Sequence, residues 1–340
     1  MKKLVIGYIG NGKSTNRYHL PFVLQRKDHI KVKTIYTIHK DKDQWKFIDD
    51  IYYTENLDEL LNDPEIDVIV ICTPGPSHLD YAYQVLNANK HCVVEKPFCE
   101  TYEQARELFD YAKSKGLIVQ CYQNRRFDSD FLTVQKVIES NKLGELLEIE
   151  MHFDYYRPYI PESVSTFSKI NSYLYGHGCH TLDQVVSYFG KPDTVHYDVR
   201  QLLGTGRMND YFDLDLYYGT LKVSVKSSYF RIKSRPSLVV YGKKGMFVKE
   251  DKDKQEEHLK KFYMPDHKDF GIDLPENYGT LTYEDENGYH EQKVVSEVGD
   301  YGRYYDALYE TMMHGAEVLV KPEQTLAIME MLENGVKHLN

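Results

Sequence analysis

The chain has no apolar stretch of membrane-spanning length, no basic run and no Cys-x-x-Cys pair. A membrane helix needs about 20 consecutive apolar residues, so none is expected. The apolar run after Lys3 gives way to Gly10 and Asn11 too soon for a secretory signal, and the cytoplasm is the expected compartment. A formal net charge of -10 without a local basic exception argues against nucleic acid as a partner. The five cysteines, Cys72, Cys92, Cys99, Cys121 and Cys179, are odd in number and sit mostly in apolar runs, as reduced core thiols do. Cys179 stands near His177 and His180, but the surrounding sequence offers no further ligand pair, so no metal site is expected.

What is present is an ordinary globular composition, 41% hydrophobic and 28% charged, over 340 residues. That length exceeds what one core usually supports, and two domains are expected. Apolar β-branched runs at residues 3–9, 31–36, 66–72, 91–94 and 117–121, with a weaker one at 51–54, alternate with helical patterns near 17–26, 56–62, 77–88 and 101–115. This is the pattern of an α/β fold, a doubly wound parallel sheet of Rossmann type, assigned to residues 1–121.

Beyond residue 122 the period changes. After a helical stretch near 129–140, Ile149, Met151 and Phe153 alternate with polar neighbours, as do Leu221, Val223 and Val225. Further strands near 194–202, 211–218, 237–248 and 280–295, a helix near 178–189 and helices after 303 predict an α+β domain with a large open, mainly antiparallel sheet. Residues 122–340 are assigned to substrate binding and oligomerisation. An uncovered apolar face of that sheet points to a homodimer or homotetramer. The charged segment 250–278, with Pro265 and Pro275, reads as a surface excursion.

The first strand runs into Gly10-Asn11-Gly12-Lys13-Ser14-Thr15, a dinucleotide loop with Thr15 in the third glycine position. Gly10 permits the tight turn, Gly12 lets backbone approach the pyrophosphate, and the following helix aims free amides at the anion. The same residues fit a P-loop beginning at Gly7, but the best apolar strand, Ile66 to Cys72, ends in Thr73-Pro74 and not in a metal-binding aspartate. The dinucleotide reading is therefore preferred. No acid stands where NAD-selective loops place one; Thr37, His39 and Lys40 follow the second strand instead, which favours NADP over NAD.

The fifth strand ends in Glu95-Lys96-Pro97, at the sheet edge where open α/β folds bind ligands. Together with the glycine loop, Thr73-Pro74 followed by His78, and His180 with Asp183, this motif resembles the Gfo/Idh/MocA oxidoreductases over nearly the whole chain. Tyr122 to Asp128 and Asp154 to Pro158 resemble a branch containing NADP-dependent scyllo-inositol dehydrogenases. The resemblance implies that Lys96 contacts the reacting hydroxyl and nicotinamide while His180 takes the hydroxyl proton. It also implies a cofactor site that includes Thr73, Pro74, His78 and Glu95, and a small-molecule sugar or polyol substrate. Imidazole can accept that proton near neutral pH, and an ammonium favours developing alkoxide charge.

Tyr122, Arg125, Arg126, Tyr156, Arg157, His177 and Asp183 are the candidate substrate contacts. The chain departs from the inositol-type pattern, in which an aspartate stands four residues before the histidine: it has Gly176 at that place before His180. Two alternatives follow: a non-catalytic NADP-binding sensor, and an NAD-assisted glycosidase of the kind some relatives resemble.

Overall fold

In the computed structural model, which describes residues 2–39, 45–159 and 166–339, the chain forms two compact units. The first comprises Met1–Asn124, Glu257–Phe270 and Tyr301–Met329; the second comprises Arg125–Glu256, Gly271–Asp300 and Glu330–Asn340. The sequence reading cuts the chain once, after residue 121, whereas two later stretches return to the first unit. Their apolar residues explain why. Leu259, Phe270 and Tyr301 are buried around Phe22, so the segment read as a surface excursion contributes to a core. Arg26 adds a bidentate bond to Asp306, at 2.6 and 2.8 Å.

The first unit holds β1 (Leu4–Ile9), β2 (Ile30–Tyr36), β3 (Tyr52–Thr54), β4 (Val68–Ile71), β5 (His91–Val94) and β6 (Val119–Cys121). They form a parallel sheet in the order β3-β2-β1-β4-β5-β6. Strands of such a sheet are covered on both faces and need continuous apolar runs, which β4 supplies with four fully buried residues. The order reverses between β1 and β4, and that switch point opens the crevice where ligands enter. The flanking helices carry their own start signals. Asn56 caps Leu57–Leu61 by accepting from the Asp58 amide, and Thr101 with Gln104 forms a capping box on Tyr102–Ser114. The helix expected at 17–26 is broken into a π-helical turn Thr15–His19, a short α-helix Leu20–Val23 and a 3-10 turn Leu24–Arg26. Pro21, which has no amide hydrogen to give, sits where a continuous ladder would need one.

The second unit holds β7 (Leu146–His152), β8 (Thr194–Arg200), β9 (Tyr211–Tyr218), β10 (Leu221–Ser228), β11 (Leu238–Gly242), β12 (Gly245–Lys249), β13 (Gly279–Asp285) and β14 (Gly288–Val294). Their order is β14-β13-β12-β11-β7-β10-β9-β8, antiparallel throughout except for the parallel pair β7 and β10. The stretches read as single strands at 237–248 and 280–295 are hairpins, folded at Lys243-Lys244 and Glu286-Asn287.

Register sets the two faces of this sheet. Phe247, Val240, Ile149, Val223 and Leu216 stand side by side as one apolar row. The opposite face pairs Lys222 with Glu148 and Lys226 with Glu150 and Asp213. Cross-strand ion pairs suit a wetted surface, and the partly exposed Tyr241 and Tyr217 stand in the same row as Glu148 and Lys222, so this face mixes charge with aromatic rings. No helix among the described residues is long and apolar enough to cross a membrane.

Candidate active site

The turn after β1 fixes the glycine loop. Gly10 has φ +106°, and a Cβ there would lie 2.6 Å from the Cys72 carbonyl oxygen, so both backbone shape and neighbour demand glycine. The Thr15 hydroxyl donates to the Gly10 carbonyl at 2.6 Å and holds the turn closed. At Gly12 an added Cβ would meet nothing within 4 Å. It would project beside a cavity of about 410 Å³ lined by Gly10, Asn11 and Gly12, by Tyr36, Thr37, Ile38 and His39 after β2, by Trp45, and by Cys72, Thr73 and Pro74 after β4. Gly10→Ala is therefore expected to cost about 3 kcal/mol of stability or more. Gly12→Ala is expected to leave thermal unfolding unchanged and to weaken dinucleotide binding by roughly tenfold. Thermal melts beside a fluorescence titration with reduced dinucleotide separate the two.

Among the described residues, none of those lining this cavity is acidic. The Arg17 guanidinium lies 5.8 Å from the ring centre of Trp45 and 4.8 Å from that of Phe262, which adds a cation next to the cavity wall. Lys13 is exposed, and Lys40 lies outside the described residues.

The end of β5 is held by a buried polar chain that the sequence did not disclose. Glu95 Oε1 accepts from the Ser14 hydroxyl and pairs with His19 Nε2 at 3.0 Å. His19 Nδ1 lies 2.5 Å from the Tyr305 hydroxyl, which lies 3.0 Å from that of Tyr8. A cationic His19 ring donates at both ends, whereas a neutral one donates to Glu95 and accepts from Tyr305, so the chain closes either way. Burial alone would raise the Glu95 carboxyl; the bond and charge of His19, the charge of Lys96 and the Ser14 bond outweigh it and hold the group down at about 2. Glu95 Oε2 accepts from the Lys96 backbone amide at 2.9 Å. One carboxylate thus ties the glycine loop to the backbone of Lys96.

Three sequence candidates in this unit take structural places. Glu95 faces this chain, not the dinucleotide cavity. His78 is buried, with its ring nitrogens 2.8 Å from the Thr73 carbonyl and 2.9 Å from the Pro97 carbonyl, and it braces two loops against each other. Tyr122, proposed as a substrate contact, stacks on His19 at 3.9 Å and donates its hydroxyl to the Tyr18 carbonyl at 2.6 Å. Strand β6 delivers it into the core.

In the second unit a π-helical turn, Leu174–Gly178, leads into the helix Cys179–Phe189. His177 meets the Tyr155 ring edge-on at 5.3 Å and the Tyr173 ring at 4.7 Å. His180, 7% exposed, is the second residue of that helix. Asp183, one turn on, receives both arms of the Arg126 guanidinium at 2.8 Å. Both members of that pair are buried, so Arg126 and Asp183 anchor the helix instead of reaching a substrate. Arg125 is engaged by Asp128 and Glu256, and Tyr156 is 55% exposed in a bridge with Phe230.

At Gly176 an added Cβ would meet nothing within 4 Å. Room for a larger residue exists, and the absence of the aspartate is not forced by packing. Gly176→Asp is expected to fold with a stability change under about 1 kcal/mol and to alter turnover or substrate preference. Steady-state kinetics beside a thermal melt reads both.

Residues 2–123 match the NAD-binding Rossmann-fold domain of the Gfo/Idh/MocA oxidoreductases, and residues 135–340 match the C-terminal alpha/beta domain of the same family. The chain belongs to this family. Among its Gfo/Idh/MocA relatives is the uncharacterized oxidoreductase YhhX of Escherichia coli K12, 48% identical over 330 residues that span 96% of this chain and 94% of that one. The crystal structure of a probable oxidoreductase yhhX superposes with a TM-score of 0.93 at 46% identity, over 98% of this chain and 96% of that chain. The scyllo-inositol 2-dehydrogenase (NADP(+)) IolW of Bacillus subtilis is 30% identical over 96% of this chain and 91% of its own.

Proposed function

We propose that this Gfo/Idh/MocA oxidoreductase transfers hydride between NADP and a secondary alcohol of a sugar, inositol or related polyol, or the corresponding carbonyl compound. The observation that carries the reading is the locked end of β5, where Glu95 joins the Lys96 backbone to the glycine loop that lines the cavity. His39 after β2 and the Arg17 guanidinium against Trp45 offer donors suited to a 2'-phosphate, which supports NADP over NAD. The likeness to IolW supports both the cofactor and the alcohol class.

When bound, the nicotinamide ring supplies the two-electron acceptor for the carbinol hydride. Lys96 then serves as the ammonium that stabilises alkoxide charge as the hydroxyl proton leaves. His180 accepts that proton at its imidazole, and Arg126 with Asp183 keeps the helix that carries it in place. The deciding experiment follows reduced-nicotinamide absorbance when NADP or NAD is mixed with inositols, aldoses and sugar acids. Reduction with one compound class and preference for NADP supports the reading. Tight NADPH binding with no turnover across the panel favours the sensor, and sugar release without net reduction favours the glycosidase.

A further inference from the structure

The second unit gathers cations around Tyr155 that the proposed chemistry does not use. The Arg157 guanidinium lies 4.3 Å from the ring centre of Tyr155 and 5.7 Å from that of Tyr229. The Lys252 ammonium lies 5.0 Å from the Tyr155 ring and 4.0 Å from the Phe153 ring. Phe153 also carries the Arg125 guanidinium at 4.8 Å. The Tyr155 ring is the one that His177 meets, and His177 stands three residues before His180. The cationic surface and the candidate proton acceptor therefore belong to one patch of the second unit.

These cations differ in what already neutralises them. Arg125 has Asp128 and Glu256. The Asp154 carboxylate is taken by Arg235, bidentate at 2.9 Å, and offers Lys252 only its backbone carbonyl, also at 2.9 Å. Among the described residues neither Lys252 nor Arg157 has a carboxylate within ion-pair distance. Burial pushes Lys252 down to about 8, with Arg125 pushing the same way and Asp154, Asp130 and Glu256 pulling against it. An ammonium held out of water on aromatic faces, with no carboxylate paired to it among the described residues, gains charge-assisted bonds from an oxyanion brought to it. Arg157 adds a planar fork suited to two oxygens, and the Tyr155 and Tyr229 rings supply an apolar floor for a polyhydroxylated body.

We propose that Lys252 and Arg157 bind an anionic oxygen group, carboxylate or phosphate, on the substrate, which is therefore a sugar acid or sugar phosphate and not a neutral polyol. The word substrate rests on the dehydrogenase reading; the anion site stands without turnover.

The test is calorimetric titration of the full-length protein, loaded with NADP, with gluconate, glucose 6-phosphate and glucose. The expected result is that one anionic sugar binds about tenfold or more tighter than glucose. Lys252→Met, which keeps the apolar stem over the rings, and the exposed Arg157→Gln are each expected to remove roughly tenfold of that affinity without changing glucose binding. Anion affinity is also expected to fall as pH rises through about 8, where Lys252 loses its proton. Preference for gluconate assigns a carboxylate, and preference for glucose 6-phosphate assigns a phosphate. Equal binding of all three sugars, or loss of anion preference in neither variant, overturns the inference. Anion binding without nicotinamide reduction sinks the dehydrogenase reading alone, whereas reduction with neutral polyols and no anion preference sinks the anion site alone.

Discussion

Lys96→Met is expected to lower kcat by about a thousandfold while the dissociation constant for NADPH stays within roughly threefold. The substitution keeps the side-chain length and removes the ammonium, so the main loss is charge at the proposed alkoxide, while Glu95 loses one of the charges that hold it down but keeps its bonds to His19 and Ser14. The glycine loop is not disturbed, because the bond from position 96 to Glu95 uses the backbone amide. Stopped-flow or steady-state absorbance measures the first quantity and fluorescence titration the second. Unchanged kcat would remove Lys96 from the mechanism. Equal loss of turnover and cofactor binding would reassign it to the cofactor site.

Arg126→Met is expected to produce the largest loss of stability among single changes around His180, about 3–5 kcal/mol. It would leave the Asp183 carboxylate buried with its bidentate partner gone. For a unit of this size that loss corresponds to a fall in Tm of roughly 10 °C. The double change Arg126→Met with Asp183→Leu removes both charges and should recover most of it, since a buried ion pair and an apolar pair of similar volume are often close in stability. Thermal melts of the three variants give the comparison. A double variant no more stable than the single one would show that the pair does more than neutralise itself.

The parallel sheet was legible because β1, β4 and β5 are nearly unbroken apolar runs ending at turn residues, and because Gly10 and Gly12 follow the first of them directly. The second sheet was legible by alternation, although Lys243-Lys244 and Glu286-Asn287 are turns too short to interrupt that period visibly. The polar chain was not legible. His19 meets Tyr305 across 286 positions of sequence, and no local pattern marks either residue. The same limit put Arg126, Asp183 and Tyr122 among substrate contacts, because a residue type reports what a side chain can bond, not which partner the fold gives it. Lys252 lay inside a charged stretch whose lysines look alike until one of them is placed on Phe153 and Tyr155.

The return of Glu257–Phe270 and Tyr301–Met329 to the first unit bears on how the chain is made. A ribosome releases the six strands of the parallel sheet long before Tyr305 and Asp306 exist, so His19 and Arg26 emerge without the groups that later satisfy them. The N-terminal unit therefore completes itself only after Tyr301–Met329 has been made, in contrast to the common order in which an upstream domain completes itself first. A graft that moves its dinucleotide specificity into another protein must carry all three segments.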